Sequence, residues 1–300
     1  MFNAKNIFKI AIIGIADKKI YWLLFARVFL VLISVLLVVL SNIMWIHFFD
    51  AMIAKNLDNI ARALFVWTNY FIIMAICEAE GSFIENIIIA RMREKLYNFY
   101  SQYNIINSKC EVVCQRLSYD MLQFSQFLVQ FFFKGLLLLL QAPVFIYMIF
   151  AVGGYSIAIS ALFYAIVGTW LIRRVAKPII KLDYKLENAE GLLRKNLVNN
   201  IANNIRKVPN INDVTEKFLS MCNAKRNVAY FDRVYLRVGM LIPWALLIPM
   251  FMKNQITFGT VKQSVAAFDH MMESFSFFVH QRENIVIIIA SANRIVEIES

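Results

Sequence analysis

The chain has 300 residues, of which 60% are hydrophobic and only 17% charged, with a mean hydropathy of +0.60. Soluble globular domains run roughly 45–50% apolar and about 25% charged, so this composition describes a polytopic membrane protein. At about 20 residues per spanning helix the length allows six to eight spans, which leaves no room for an additional soluble catalytic domain.

In chain order, residues 1–20 form a short amphipathic stretch ending in Asp17-Lys18-Lys19, which is expected to lie at the membrane interface rather than to be a cleaved leader. Residues 21–300 form the membrane domain. Its apolar runs predict spans at about 21–49, 60–90, 118–150, 155–172, 236–252 and 264–292. Leu23–Leu40 and Gly135–Val152 are the most apolar, while the second and sixth spans are interrupted by charge. Short connections are expected at Asp50–Asn59, at a Gly153-Gly154 turn and at Lys253–Gly259. The two other connections, 91–117 and 173–235, are long and helical in composition, so the spans are expected to continue as rods beyond the membrane.

The formal charge of +11 is explained by sidedness. Of the 31 Lys and Arg, only Lys55, Arg62, Lys253 and Lys262 fall on the side of the short connections, and Arg27 and Lys134 lie within spans. The remainder accompany the termini and the long connections, which places both termini in the cytoplasm. The basic charge is therefore a topology signal and not a nucleic-acid footprint. Cys77, Cys110, Cys114 and Cys222 fall in spans or cytoplasmic segments, with no disulfide framework expected. Cys110 and Cys114 are one helical turn apart but have no histidine nearby in sequence, so no metal is expected. No phosphate loop, dinucleotide fingerprint or nucleophilic triad occurs, and neither a cofactor nor an enzymatic activity is expected.

The polar residues inside this apolar chain carry the candidate sites. Glu78 and Glu85, with Gly81 between them, form a stripe on the second span, either facing a cavity or marking where the helix leaves the membrane. Glu111 and Gln115 share a face and are candidates for a cavity wall, although Arg116 beside them suits an ion pair equally well. Asp120 lies about half a turn out of phase with Glu111. Asp183, Glu187 and Glu190 share one helical face. They read either as a solvated surface with a Glu190–Arg194 ion pair or as stacked acids able to carry protons. On the sixth span Asp269, Glu273, Ser276 and His280 make a narrow polar stripe, extended by Glu283 and Asn284. Facing lipid is too costly at roughly 2.5–3.5 kcal/mol per central charge, so the stripe lines a cavity as a proton relay or forms interhelical ion pairs, for instance with Lys134 or Arg27.

Five groups of residues, in order over about 30–300, form a recognisable pattern. They are Asn42 before Phe48-Phe49-Asp50; Arg91-Met92-Arg93 with Tyr100; and Glu111-x-x-x-Gln115-Arg116 with Asp120 and Phe124. The fourth is Leu182-Asp183-Tyr184-Lys185 with Glu190 and Arg194-Lys195. The fifth is Ile256-Thr257-x-Gly259 with Gln263, Phe268, Phe275 and Arg294. Together the five groups resemble the SbmA/BacA-like inner-membrane peptide transporters, and the resemblance implies an all-α fold like the membrane domain of type IV ABC exporters, without the nucleotide-binding domain. It implies a homodimer in a bacterial inner membrane that imports peptides, such as antimicrobial peptides, using protons. The proton-coupling candidates are Glu111, Asp120, Asp183, Glu190, Asp269, Glu273 and His280, the last three from the polar stripe alone, and the cavity-lining candidates are Glu78, Glu85, Gln115 and Gln263. Asp269 and Glu273 stand where the family has small or neutral residues. The alternative is the transmembrane subunit of an ATP-driven ABC transporter whose ATPase is a separate or missing chain.

Overall fold

The computed structural model describes residues 4–102, 116–202 and 211–296, and every regular element among them is helical. In order these are α1 (Ala4–Ile15), α2 (Lys18–Ile53), α3 (Leu57–Tyr100), a π-helical turn (Arg116–Asp120), α4 (Met121–Ala202), α5 (Asn212–Met252), α6 (Phe258–His280) and α7 (Arg282–Val296). Such long helices follow from a sequence with only 9 Gly and 5 Pro, which gives the chain few places to break. The breaks that occur carry recognisable caps. Asp17 accepts from the Lys19 N–H at the start of α2, and Asn56 accepts from the Asn59 N–H at the start of α3. Lys55 and Asn254, at φ 53° and 56°, supply the left-handed residues that let α2 and α5 reverse.

Four helical stretches are long and apolar enough to cross a membrane among the described residues: Lys18–Ile53, Leu57–Tyr100, Ser118–Val152 and Asn212–Met252. The first three coincide with the first three expected spans and the last contains the fifth. The expected Gly153-Gly154 turn does not form, because both glycines lie inside α4, whose 82 residues run unbroken. A helical glycine costs only about 1 kcal/mol relative to Ala, and the apolar neighbours here are compatible with helix. The stretch 155–172 therefore belongs to α4 and is not set off by a turn. The expected sixth span, 264–292, is divided at Gln281 between α6 and α7. Its polar content, from Gln263 through Ser276, lowers the apolarity of α6.

Contacts divide the chain into two units, Met1–Ala158 with Leu246–Ser300, and Ile159–Ala245. In the first, the hydrophobic core gathers α1, the start of α2, the end of α3, the start of α4 and α7 around Ile10, Ile20, Met92, Leu96, Phe124 and Ile295. In the second, α4 and α5 pack through a reciprocal pair of tyrosines. The rings of Tyr164 and Tyr235 stack 4.6 Å apart, and each hydroxyl donates to the other residue's backbone carbonyl, at 2.6 and 3.1 Å. Gly168 and Gly239, each one turn after a tyrosine, leave the space that the opposing ring fills.

Candidate functional site

Polar residues in the first unit converge on three places along the helices. The first is where α2 meets α6 near the α2–α3 turn. Asn42, Ile46 and Asp50 recur every four residues on α2, and Gly259, Gln263 and Ala267 do so on α6, so each set presents one helical face. The Asp50 carboxylate accepts from the Gly259 N–H at 2.9 Å, satisfying a donor in the first turn of α6. Gly259 permits this approach, because a Cβ there would sit 2.6 Å from the Ile46 backbone. Further along, with the buried Asn42 amide turned to suit its neighbours, its nitrogen donates to the Gln263 backbone carbonyl at 3.3 Å and its oxygen accepts from the Ala267 N–H at 3.2 Å. In a membrane, where apolar burial does little to bring helices together, close packing and such hydrogen bonds hold the pair.

Beside this seam, a cavity of about 560 Å³ opens between α2 and α3, with His47, Asp50, Asn59 and Arg62 contributing its polar groups. Aromatic rings flank it: Trp67 packs edge-on against Trp45 and donates its Nε1–H to the Ser41 hydroxyl at 2.7 Å.

The second place is an ion pair between spanning helices. Arg27 on α2 meets Glu85 on α3 through Nε and Nη2, both to Oε1, at 2.8 and 2.7 Å. The side chains are 14% and 16% exposed. The guanidinium lies over the Phe133 ring, 5.3 Å from its centroid, and passes so close to Gly81 that a Cβ would meet Arg27 Cζ at 2.7 Å. Gly81 thus admits the cation that Glu85, one turn later, neutralises.

The third place is the π-helical turn before α4. Asp120, buried, takes Arg294 of α7 in a two-pronged contact, Nε to Oδ2 and Nη2 to Oδ1, each at 3.0 Å. Arg93 of α3 donates to the Ser118 carbonyl at 3.2 Å. The turn is thereby pinned from two helices.

The remaining expected site residues divide as follows. Glu111 and Gln115 lie outside the described residues. Glu78 is exposed, unlike Glu85 two turns on, and Gln263 is buried on the α2–α6 seam. Asp183 and Glu190 both lie on α4 two turns apart, with Glu190 exposed. On α6, Asp269 is half-buried, Glu273 exposed and Ser276 buried, while His280 ends the helix. Neither Asp269 nor Glu273 makes a hydrogen bond or ion pair among the described residues. The partners expected for this stripe are used elsewhere or not at all: Arg27 holds Glu85, and Lys134 is exposed with no ion pair among the described residues. Sequence reasoning missed His270, whose ring stacks on Phe145 at 4.6 Å beside Asp269. A polar residue flanked by Phe268 and the Met271-Met272 pair is the signal that pointed inward.

Comparisons with known proteins bear on this arrangement. The protein described as "Inner membrane ABC transporter ATP-binding protein YddA" of Escherichia coli (strain K12) is 21% identical over 312 residues, covering 89% of this chain and 56% of that protein. "ABC transporter D family member 2, chloroplastic" of Arabidopsis thaliana is 25% identical over 152 residues, covering 46% of this chain and 21% of that protein. The chain thus spans about half of one relative's length and a fifth of the other's. A family profile, described as SbmA/BacA-like, matches residues 17–300. That match takes in the α2–α6 seam, the Arg27–Glu85 pair and the pinned turn alike, and the chain belongs to the SbmA/BacA-like family.

Proposed function

We propose that the chain is a non-enzymatic subunit of a homodimeric secondary transporter that imports peptides across a bacterial inner membrane with protons, both termini facing the cytoplasm. The observation that carries the reading is the pair of carboxylates on α6. Asp269 and Glu273 lie one turn apart, in a helix whose other faces are largely buried, and have no hydrogen bond or ion pair among the described residues. Acids left unpaired within a membrane domain are suited to binding and releasing protons. A second copy of the chain supplies the surface that, with α6, encloses them in a polar cavity. Family membership supports a transport role, and the basic bias of the termini supports the orientation.

The test is uptake of labelled peptide into proteoliposomes under an imposed pH gradient. Accumulation without ATP that collapses with a protonophore is the expected result, and Asp269→Asn with Glu273→Gln should abolish it while the dimer mass persists. A functional monomer, or undiminished uptake by the double variant, would sink the proposal. The second reading, the membrane part of an ATP-driven transporter, draws on the printed names of the longer relatives. Uptake only with ATP and a partner ATPase would establish that reading instead.

A further inference from the structure

Helix α1 packs one side against protein and leaves large apolar side chains exposed on the other. Ile10 is fully buried, and Gly14 is pressed against α3 so closely that a Cβ would meet Met92 Cγ at 2.7 Å. Asn6 Nδ2 donates to Asn293 Oδ1 of α7 at 3.2 Å. On the opposite side Phe8 and Ile12, one turn apart, are 67% and 68% exposed. The exposed apolar surface continues past Asp17 into α2, where Trp22 is 74% exposed and Phe25 and Phe29 follow at helical spacing. Between the two apolar surfaces stand the exposed Lys18 and Lys19, with Lys9 beside Phe8. Asp17 does not neutralise them: its carboxylate accepts the Lys19 N–H at 3.1 Å and lies 3.8 Å from Lys95 Nζ of α3.

Water disfavours the ring of Phe8, Ile12, Trp22 and Phe25, and hydrocarbon disfavours the lysines. The boundary layer of a bilayer accommodates both, with apolar side chains in the acyl region and ammonium groups at the headgroups. We propose that α1 and the first turns of α2 form a binding site for anionic phospholipid, with Lys18 and Lys19 on the phosphate and Phe8, Ile12 and Trp22 along the chains. The charge chooses the lipid, because cations placed together in this layer favour an acidic headgroup over a zwitterionic one. The α1 contacts carry the consequence: through Asn293 and Met92, lipid seated on α1 braces α7 and α3, and through α7 the Arg294 that holds Asp120. This inference does not depend on what the chain transports.

The experiment compares the full chain in nanodiscs of phosphatidylcholine alone with nanodiscs containing phosphatidylglycerol, reading thermal unfolding and lipid retention by native mass spectrometry. Phosphatidylglycerol should raise the melting temperature and be retained, and 0.5 M salt should weaken both effects. Lys18→Gln and Lys19→Gln should each lower the apparent lipid affinity about fivefold. Both side chains are exposed and outside the core, so the variants fold. Equal stabilisation by the two lipids, or retention unchanged in the double lysine variant, would overturn the proposal. Efficient cross-linking between copies through Phe8→Cys would also overturn it, because a second chain would then cover the face.

Discussion

Replacing Glu85 with Leu tests whether the Arg27–Glu85 contact is a structural pair. In the parent both charges lie in spanning helices, with the guanidinium in two contacts of 2.7–2.8 Å to one carboxylate oxygen and only 14% of the Arg27 side chain exposed. Removing one member of such a pair leaves the other charged and poorly hydrated, which costs about 3–5 kcal/mol. The lower end applies here, since Arg27 retains some exposure and can swing away from Gly81. Arg27→Met should cost a similar amount by stranding the carboxylate. The double variant Arg27→Met/Glu85→Leu removes both charges and leaves an apolar side chain against Phe133, so it should lie within about 1.5 kcal/mol of the parent. The assay is equilibrium unfolding of the purified protein in mild detergent, followed by tryptophan fluorescence, over the four corners of the cycle. A double variant as unstable as either single would refute the reasoning, as would single variants within about 0.5 kcal/mol of the parent.

Gly259→Ala should destabilise by about 1–3 kcal/mol in the same assay, because the added methyl meets the Ile46 backbone and not a movable side-chain end. Tyr164→Phe and Tyr235→Phe each remove one donor to a backbone carbonyl and should cost about 0.6 kcal/mol, at most ~1.7, in a membrane setting; Gly168→Ala, which drives a methyl into the Tyr235 ring, should cost more than both together. Asp120→Asn should cost less than Glu85→Leu, since Arg294 is 46% exposed and rehydrates once released; a larger loss measured by unfolding would contradict that ordering.

The all-helical fold was legible because sparse Gly and Pro leave long uninterrupted stretches and the apolar runs mark where lipid is the solvent. The reversal at Gly153-Gly154 was misjudged for a definite reason. Two glycines favour a turn by local chemistry, but nothing in their neighbours stops a helix, and a helical glycine costs only about 1 kcal/mol. The stripe of Glu78 and Glu85 was legible as a face, since seven residues bring a helix back within about 20°. Their different fates were not: Glu85 meets a cation 58 residues away on α2, and one helix's periodicity carries no information about its neighbour. Gly81 held a usable clue, because a glycine one turn before an intramembrane acid marks room for something large.

Four of the five sequence groups acquire a physical meaning from these contacts. Asn42 and Asp50 of the first group engage Gln263 and Gly259 of the fifth, while Arg93, Asp120 and Arg294, from the second, third and fifth, gather at the pinned turn. In both places polar groups from distant parts of the chain satisfy one another across helices. On the α2–α6 seam this answers a medium with little apolar driving force for helix association, whereas at the pinned turn Arg294 stays 46% exposed. Asp50, Glu85 and Asp120 are therefore committed to holding helices, and replacing any of them would weaken the bundle that contains it. A proton carrier has to change charge without dissolving its own support. Under the proposed function, Asp269 and Glu273, which make no hydrogen bond or ion pair among the described residues, meet that condition. If the proposed proton coupling holds, the acids most suited to it are the two on α6 that depart from the family pattern, and mutating the matching acids Asp50 and Asp120 should reveal instability before any effect on uptake.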